Sequence, residues 1–169
     1  METALATANF FVQKSQDTGV ELSPMKLVKL VYLAHGWYLG IKGTPLIPES
    51  VQAWKYGPVV PSIYFTFKKY GDGQITQTEI DCGTMKFPTV TDNDTKAFME
   101  VIWDVYGKTH TGLQLSTLTH EKGSPWDITW NEKGEKNIKS VIIPNDIIKE
   151  YYQNRIKSVE DVKTPEHAN

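Results

Sequence analysis

Ser23-Pro24-Met25-Lys26-Leu27-Val28-Lys29-Leu30-Val31-Tyr32-Leu33-Ala34-His35-Gly36-Trp37-Tyr38-Leu39-Gly40-Ile41-Lys42-Gly43 is the stretch on which the fold turns. Ser23 offers a side-chain acceptor to a helix N-terminus, and Pro24 sits where a missing N–H costs nothing. Leu27, Leu30, Val31, Ala34, Tyr38 and Ile41 follow at helical spacing, while Val28, Tyr32 and Leu39 make the opposite side apolar too. A helix apolar on most sides needs neighbours all round it, so the spacing predicts a central helix over about 23–42. Gly43 is placed to stop it in a left-handed conformation.

Upstream, Leu5, Ala8, Phe11 and Val12 form one buried stripe of a first helix, which Gly19 ends. Downstream, Pro45, Pro48, Gly57, Pro58 and Pro61 break the helical period, and Val51, Ala53, Trp54 and Tyr56 read as a short extended piece or hairpin. Pro61 opens a helix from Ser62 to about Tyr70, with Ile63, Phe67 and Tyr70 on one side, and Gly71-Asp72-Gly73 ends it. Residues 74–90 read as loop or extended chain with room for a small hairpin. Thr91-Asp92-Asn93-Asp94 is an acid-rich helix start. Phe98, Ile102 and Val105, with Val101 alongside, carry that helix to Gly107. A short helix over Leu113–His120 follows, then a second cap-plus-proline start at Ser124-Pro125 leading into Trp126, Ile128 and Trp130. The last helix follows Pro144-Asn145-Asp146 and carries Ile147, Ile148, Tyr151, Tyr152 and Ile156. The expected architecture is therefore mainly α: a compact multi-helix domain around the central helix, with one or two short strands. One domain is expected over 1–157, with a polar tail over 158–169 that frays.

The 169 residues suit one domain, and 18 Lys+Arg against 20 Asp+Glu give a net charge of −2. That balance argues against a strongly basic nucleic-acid or membrane-surface binder. No apolar run approaches a bilayer span and no signal peptide is evident, so the expected location is the cytosol. The lone Cys82 makes no internal disulfide, and its neighbour Asp81 does not favour a thiolate. His35, His110, His120 and His167 form no HExxH or other metal-ligand cluster, so no metal is expected. P-loop, GxGxxG and GxSxG patterns are absent, and no cofactor or catalytic residue is assigned. Asp92, Asp94, Glu100 and Asp104 read as a solvated helix face. Lys26, Lys29, Lys68 and Lys69, with Tyr64 and Tyr70 nearby, make only a thin basic-aromatic combination.

What stands out is the aromatic content, 11% of residues, and its punctuation at Trp37, Trp54, Tyr56, Tyr64, Trp103 and Trp126. Core packing accounts for most such residues. The Trp54-Lys55-Tyr56-Gly57-Pro58 segment is different, since large aromatics and a lysine in a Gly- and Pro-bounded loop suit a partner contact as well as a structural role.

At this segment the chain resembles the Panacea domain, the SocA-like, GepA-like family of phage-associated antitoxins. Three stretches carry the resemblance: Lys26 to Leu39 with Gly43-Thr44-Pro45-Leu46; Gln52 to Tyr64 with Phe67-Lys68-Lys69-Tyr70-Gly71; and Tyr106-Gly107-Lys108, Leu113-Gln114-Leu115-Ser116 and Leu118 to Trp126. Val28 and Val31 depart from the usual Gln and Leu, and Ser124 is inserted before Pro125. The resemblance implies a phage or prophage protein that neutralises a toxin encoded by a neighbouring gene, by direct protein–protein binding. For the namesake member it implies a proteolytic adaptor that hands its toxin to the Clp protease; other members neutralise by complex formation, small alarmone-synthetase toxins among their targets. The partner expected is therefore a toxin protein, with the Clp protease as a second, and neither membrane nor nucleic acid. The expected contact face combines Trp54, Lys55, Tyr56, Pro58 and Tyr64 with the flank of the central helix at Lys29, Tyr32 and His35. Two other readings stand beside it: a regulatory or anti-defence protein acting on another host factor or on nucleic acid, and an enzyme using His35 and His120 as an acid–base pair.

Overall fold

The computed structural model describes residues 1–132 and 141–163. Within them run seven helices and three short strands. They are α1 (Ala4–Thr18), α2 (Pro24–Lys42), β1 (Gln52–Trp54), β2 (Gly57–Val59), α3 (Pro61–Phe67), α4 (Asn93–Ile102), α5 (Gly112–Thr119), α6 (Pro125–Asp127), β3 (Val141–Ile142) and α7 (Asn145–Lys163). The protein is mainly helical, with α2 at its centre.

The helix starts and stop read from the sequence at Ser23, Gly43, the Thr91–Asp94 run and Ser124 are in place, and the structure adds a cap at Thr111. Lys26 N donates to Ser23 Oγ at 3.3 Å, and Gly43, at φ +74°, donates its N–H back to Leu39 O at 2.9 Å. Asp92 and Ser124 cap α4 and α6 through Thr95 N and Asp127 N. Thr111 and Gln114 form a full capping box on α5. Helix α2 packs against α1, α3, α4, α5 and α7. Fourteen of its 19 residues are buried, among them the polar Lys26, Lys29 and His35. The contact with α7 depends on two glycines one turn apart. A Cβ on Gly36 would lie 2.2 Å from the Tyr152 ring, and one on Gly40 would lie 2.7 Å from Tyr152 Cβ. The bare α2 backbone is thus the slot that receives Tyr152.

Helix α4 departs from its expected phase. Trp103–Gly107 is a π-helical turn, with Lys108 N donating to Trp103 O at 2.9 Å. A Cβ on Gly107 would sit 2.2 Å from the buried Trp103 ring, so the widened turn and the glycine together make room for the indole. As a result Met99, Ile102 and Trp103 face the core, while Val101 and Val105 are exposed. The expected apolar stripe through Val105 is corrected by this change of helical period. Helix α6 also widens into a π-helical turn over Ile128–Glu132.

Segment 74–90 is extended chain held by side chains, with a single bridge between Asp81 and Lys86 in place of a full hairpin. Buried Asn9 on α1 donates to Glu79 O and Pro88 O, and accepts from Glu79 N. Ile75 N donates to Leu22 O at 2.9 Å, and its side chain is buried. The antiparallel sheet has the order β2-β1-β3, so the expected hairpin gains a third strand from far downstream. Pro58 lies in β2, an edge strand, where its missing N–H breaks no ladder. Helix α7 continues past Ser158, where the sequence reading placed the start of fraying, and residues 164–169 lie outside the described residues.

Candidate functional site

The β1–β2 hairpin is a two-residue turn, Lys55-Tyr56, flanked by the pair Trp54 and Gly57. A bare hairpin of this size is marginal in water. Here its carbonyls are gripped from three helices. Trp126 Nε1 on α6 donates to Trp54 O at 2.7 Å. The His120 ring, at the end of α5, brings Nε2 to 3.4 Å from Lys55 O. Ser116 Oγ on α5 donates to Tyr56 O at 3.1 Å, and Lys29 Nζ on α2 donates to Pro58 O at 3.1 Å. The carbonyls of Trp54, Tyr56 and Pro58 thus each meet a different side-chain donor, with the His120 ring set against that of Lys55, and the loop is fixed relative to the core.

Gly57 is the one residue that fits inside this brace. Its φ is +108°, and a Cβ there would stand 2.6 Å from Lys29 Nζ and 3.0 Å from His120 Cε1. Ser116 and His120 are one helical turn apart on α5, so one face of that helix supplies two braces. The His120 ring is packed on Trp126 with centroids 4.0 Å apart, and Trp126 in turn stacks on Trp130 at 5.7 Å. Among the described residues Lys29 has no carboxylate partner, and it is 2% exposed; burial pushes its amine down to about 7.

Bracing from beneath sends the hairpin side chains outward. Tyr56 is 63% exposed, Lys55 is exposed, and Trp54 is half-buried. Trp54 meets Tyr64 of α3 edge-on at 5.0 Å, and Phe65 at 6.1 Å. Between this aromatic group and the start of α2 lies a groove of about 490 Å³. Met25, Val28 and Lys29 of α2 form one wall; Trp54, Tyr56, Val59, Tyr64 and Lys68 form the other; Asp72 lies at one end.

The expected contact face divides in two. Trp54, Lys55, Tyr56 and Tyr64 come together at the surface. Lys29, Tyr32, His35 and Pro58 do not: all four are buried. Lys29, Tyr32 and His35 are buried because α2 is surrounded by five helices and has little free flank, and Pro58 because β2 lies over the Lys29 amine. Lys29 and Pro58 serve the site from below. Tyr32 belongs to the α2–α7 interface, where burial raises its hydroxyl pKa. His35 is fully buried, with Nε2 3.0 Å from Asn145 Oδ1 at the start of α7, and burial lowers its pKa. His35 and His120 therefore hold different elements, and the His35 ring offers no surface to a substrate. The expected basic group also disperses. Lys26 is buried, donating to Glu21 O and lying over the Trp103 ring; Lys69 pairs with Glu79; Lys29 meets the groove from within the core, and Lys68 borders it as an exposed side chain.

Phe65 and Met25 were missed as site residues, as was the bracing role of Ser116 and Trp126. The sequence carried one usable signal, the Ser116/His120 spacing, but no local pattern links either residue to a loop sixty positions upstream. Among the described residues no group of three or more His, Cys, Asp or Glu side chains is placed to hold a metal, and no helix is long and apolar enough to cross a membrane. Cys82 is exposed in the Asp81–Lys86 turn, away from the groove lining.

With this geometry in view, comparison with known proteins gives two matches. The family described as antitoxin SocA-like, Panacea domain, matches residues 27–127. Antitoxin SocA of Caulobacter vibrioides (strain NA1000 / CB15N) is 30% identical over 155 residues, which cover 89% of this chain and 82% of that protein. No solved structure matches. The family match begins within α2 and ends just after Trp126, so it contains the hairpin and all four of its braces.

Proposed function

The chain belongs to the antitoxin SocA-like, Panacea-domain family, and from that premise we propose that it is a non-catalytic antitoxin that neutralises a partner toxin by direct protein–protein binding at the braced hairpin. The observation that carries the reading is the set of donors from Lys29, Ser116 and Trp126 on the hairpin carbonyls, with the His120 ring packed beside them. A loop fixed before it meets its partner loses little conformational entropy on binding. Exposed Tyr and half-buried Trp on such a loop are the side chains that dominate interface energetics. Tyr56, Trp54 and Tyr64 are then the anchors, with Lys55 beside them.

The partner is a toxin encoded by a neighbouring gene, met in the bacterial cytosol; the family resemblance also implies a phage or prophage setting. In this scheme the buried Lys29 positions the hairpin and does not touch the toxin.

The test is a growth assay. The adjacent open reading frame is expressed alone and then with this chain. Toxicity relieved by the chain is the expected result, and relief lost in a Trp54→Ala/Tyr56→Ala double variant that still folds assigns it to the hairpin. A neighbour that is harmless, or stays toxic with the chain present, overturns the reading. Repeating the rescue in a host lacking the Clp protease separates blocking from delivery: rescue that needs the protease identifies an adaptor, and rescue without it identifies sequestration.

A further inference from the structure

The groove beside the hairpin carries a charge pattern that narrows what it binds. Lys55 and Lys68 are exposed on its rim, and each lays its amine over a neighbouring ring: Lys55 Nζ is 5.4 Å from the Tyr56 centroid, and Lys68 Nζ is 4.9 Å from that of Phe65. Among the described residues neither pairs with a carboxylate, whereas Lys14, Lys69, Lys108 and Arg155 each do. Asp72 is the one acid in the groove lining. Two cations without a carboxylate partner among the described residues therefore stand on the rim of this groove, on a chain whose net charge is −2.

Its walls are apolar. Met25 is 41% exposed and lines the groove with Trp54, Tyr56 and Tyr64, while Phe65 packs edge-on against Trp54 and Tyr64 behind that wall. The volume of about 490 Å³ lies within the range of about 300–1,000 Å³ that holds a small ligand or a short chain segment.

We propose that this groove takes a short segment of the partner toxin in which an aromatic or aliphatic side chain is flanked by Asp or Glu, the apolar group entering between Met25 and Tyr64 and the carboxylates meeting Lys55 and Lys68. The inference rests on the antitoxin reading above and adds the chemistry of the partner's segment. Aromatics with lysines also suit single-stranded nucleic acid. The ring geometry favours the peptide: Trp54, Tyr64 and Phe65 pack edge to face, at 68°, 68° and 78° to one another, and so use one another's faces in place of leaving an open stack for bases. Lys26 and Lys29, which would have extended a phosphate-binding track, are drawn into the core.

The test measures toxin binding by calorimetry for the wild-type chain and for Lys55→Glu/Lys68→Glu, with Lys96→Glu on the exposed side of α4 as the control. Circular dichroism checks that each variant is folded. The double reversal is expected to weaken binding by roughly 10- to 100-fold and to flatten its salt dependence, since rim charges act mainly through long-range attraction. The Lys96 control is expected to stay within about twofold of wild type. Overlapping peptides covering the toxin are then scanned, and the bound ones are expected to pair Asp or Glu with a large apolar residue. Wild-type binding with an unchanged double variant, or bound peptides that are basic, overturns the groove assignment and leaves the antitoxin reading standing. Competition for the groove by a 20-nucleotide single-stranded DNA probe with a steep salt slope overturns the peptide in favour of nucleic acid. A wild-type chain that neither binds nor rescues overturns the antitoxin reading itself.

Discussion

Replacing Lys29 by methionine tests the brace at its most unusual point. The amine lies under the hairpin with Pro58 O as its acceptor, and burial brings its pKa from 10.5 to about 7. Below pH 7 the amine is charged in both states, and the folded state bears the full cost of holding that charge out of water. Between pH 7 and 10.5 the unfolded chain binds a proton that the folded chain does not, so stability rises with pH. At about 1.4 kcal/mol per unit, a shift from 10.5 to about 7 corresponds to about 5 kcal/mol in all, of which about 2–3 kcal/mol is gained between pH 7 and 9. Lys29→Met has no such term. The variant leaves Pro58 O without its donor, at a cost of about 1–3 kcal/mol that does not vary with pH. Urea denaturation of both chains from pH 6 to 10 separates the two effects. The wild-type minus variant difference is expected to grow by about 1.4 kcal/mol per unit above pH 7. Parallel profiles refute the reasoning, because they mean that Lys29 is not held in a dry site beneath the hairpin.

Gly57→Ala places a Cβ 2.6 Å from Lys29 Nζ at a φ of +108°, and about 1–3 kcal/mol of strain is expected in thermal unfolding, together with loss of toxin rescue. Gly36→Ala drives a methyl group to 2.2 Å from the Tyr152 ring; a destabilisation of about 1–3 kcal/mol is expected, partly recovered when Tyr152→Leu is added, and an additive double variant would show that the two residues do not share a slot. Trp126→Phe keeps most of the ring and removes the donor to Trp54 O, so about 1–3 kcal/mol should be lost in chemical denaturation; no change would mean that the carbonyl is not held there.

The central helix was fully legible in the sequence. Ser23, Pro24 and Gly43 set its ends by local backbone chemistry, and apolar residues on all sides required neighbours on all sides. The helix starts at the Thr91–Asp94 run and at Ser124 were legible for the same reason, since each depends on residues within a few positions of one another. The same burial logic, carried one step further, would have removed Lys29, Tyr32 and His35 from a surface face, since neighbouring helices cover the parts of α2 on which they lie.

Other features were decided only by the tertiary structure. The phase of α4 changes at Trp103 because the indole must enter a core whose other walls come from α1 and α2, and periodicity inside one helix carries no record of those walls. The third strand, the slot on α2 for Tyr152 and the four-residue brace each join residues far apart in the chain. Such contacts come from the geometry of packed helices. Sequence determined that this protein has a central helix and a short aromatic-rich extended segment; only folding determined that the segment is a hairpin and that Lys29, Ser116, His120 and Trp126 converge on it, because hydrogen-bond reach is about 3 Å in space and has no counterpart in sequence distance.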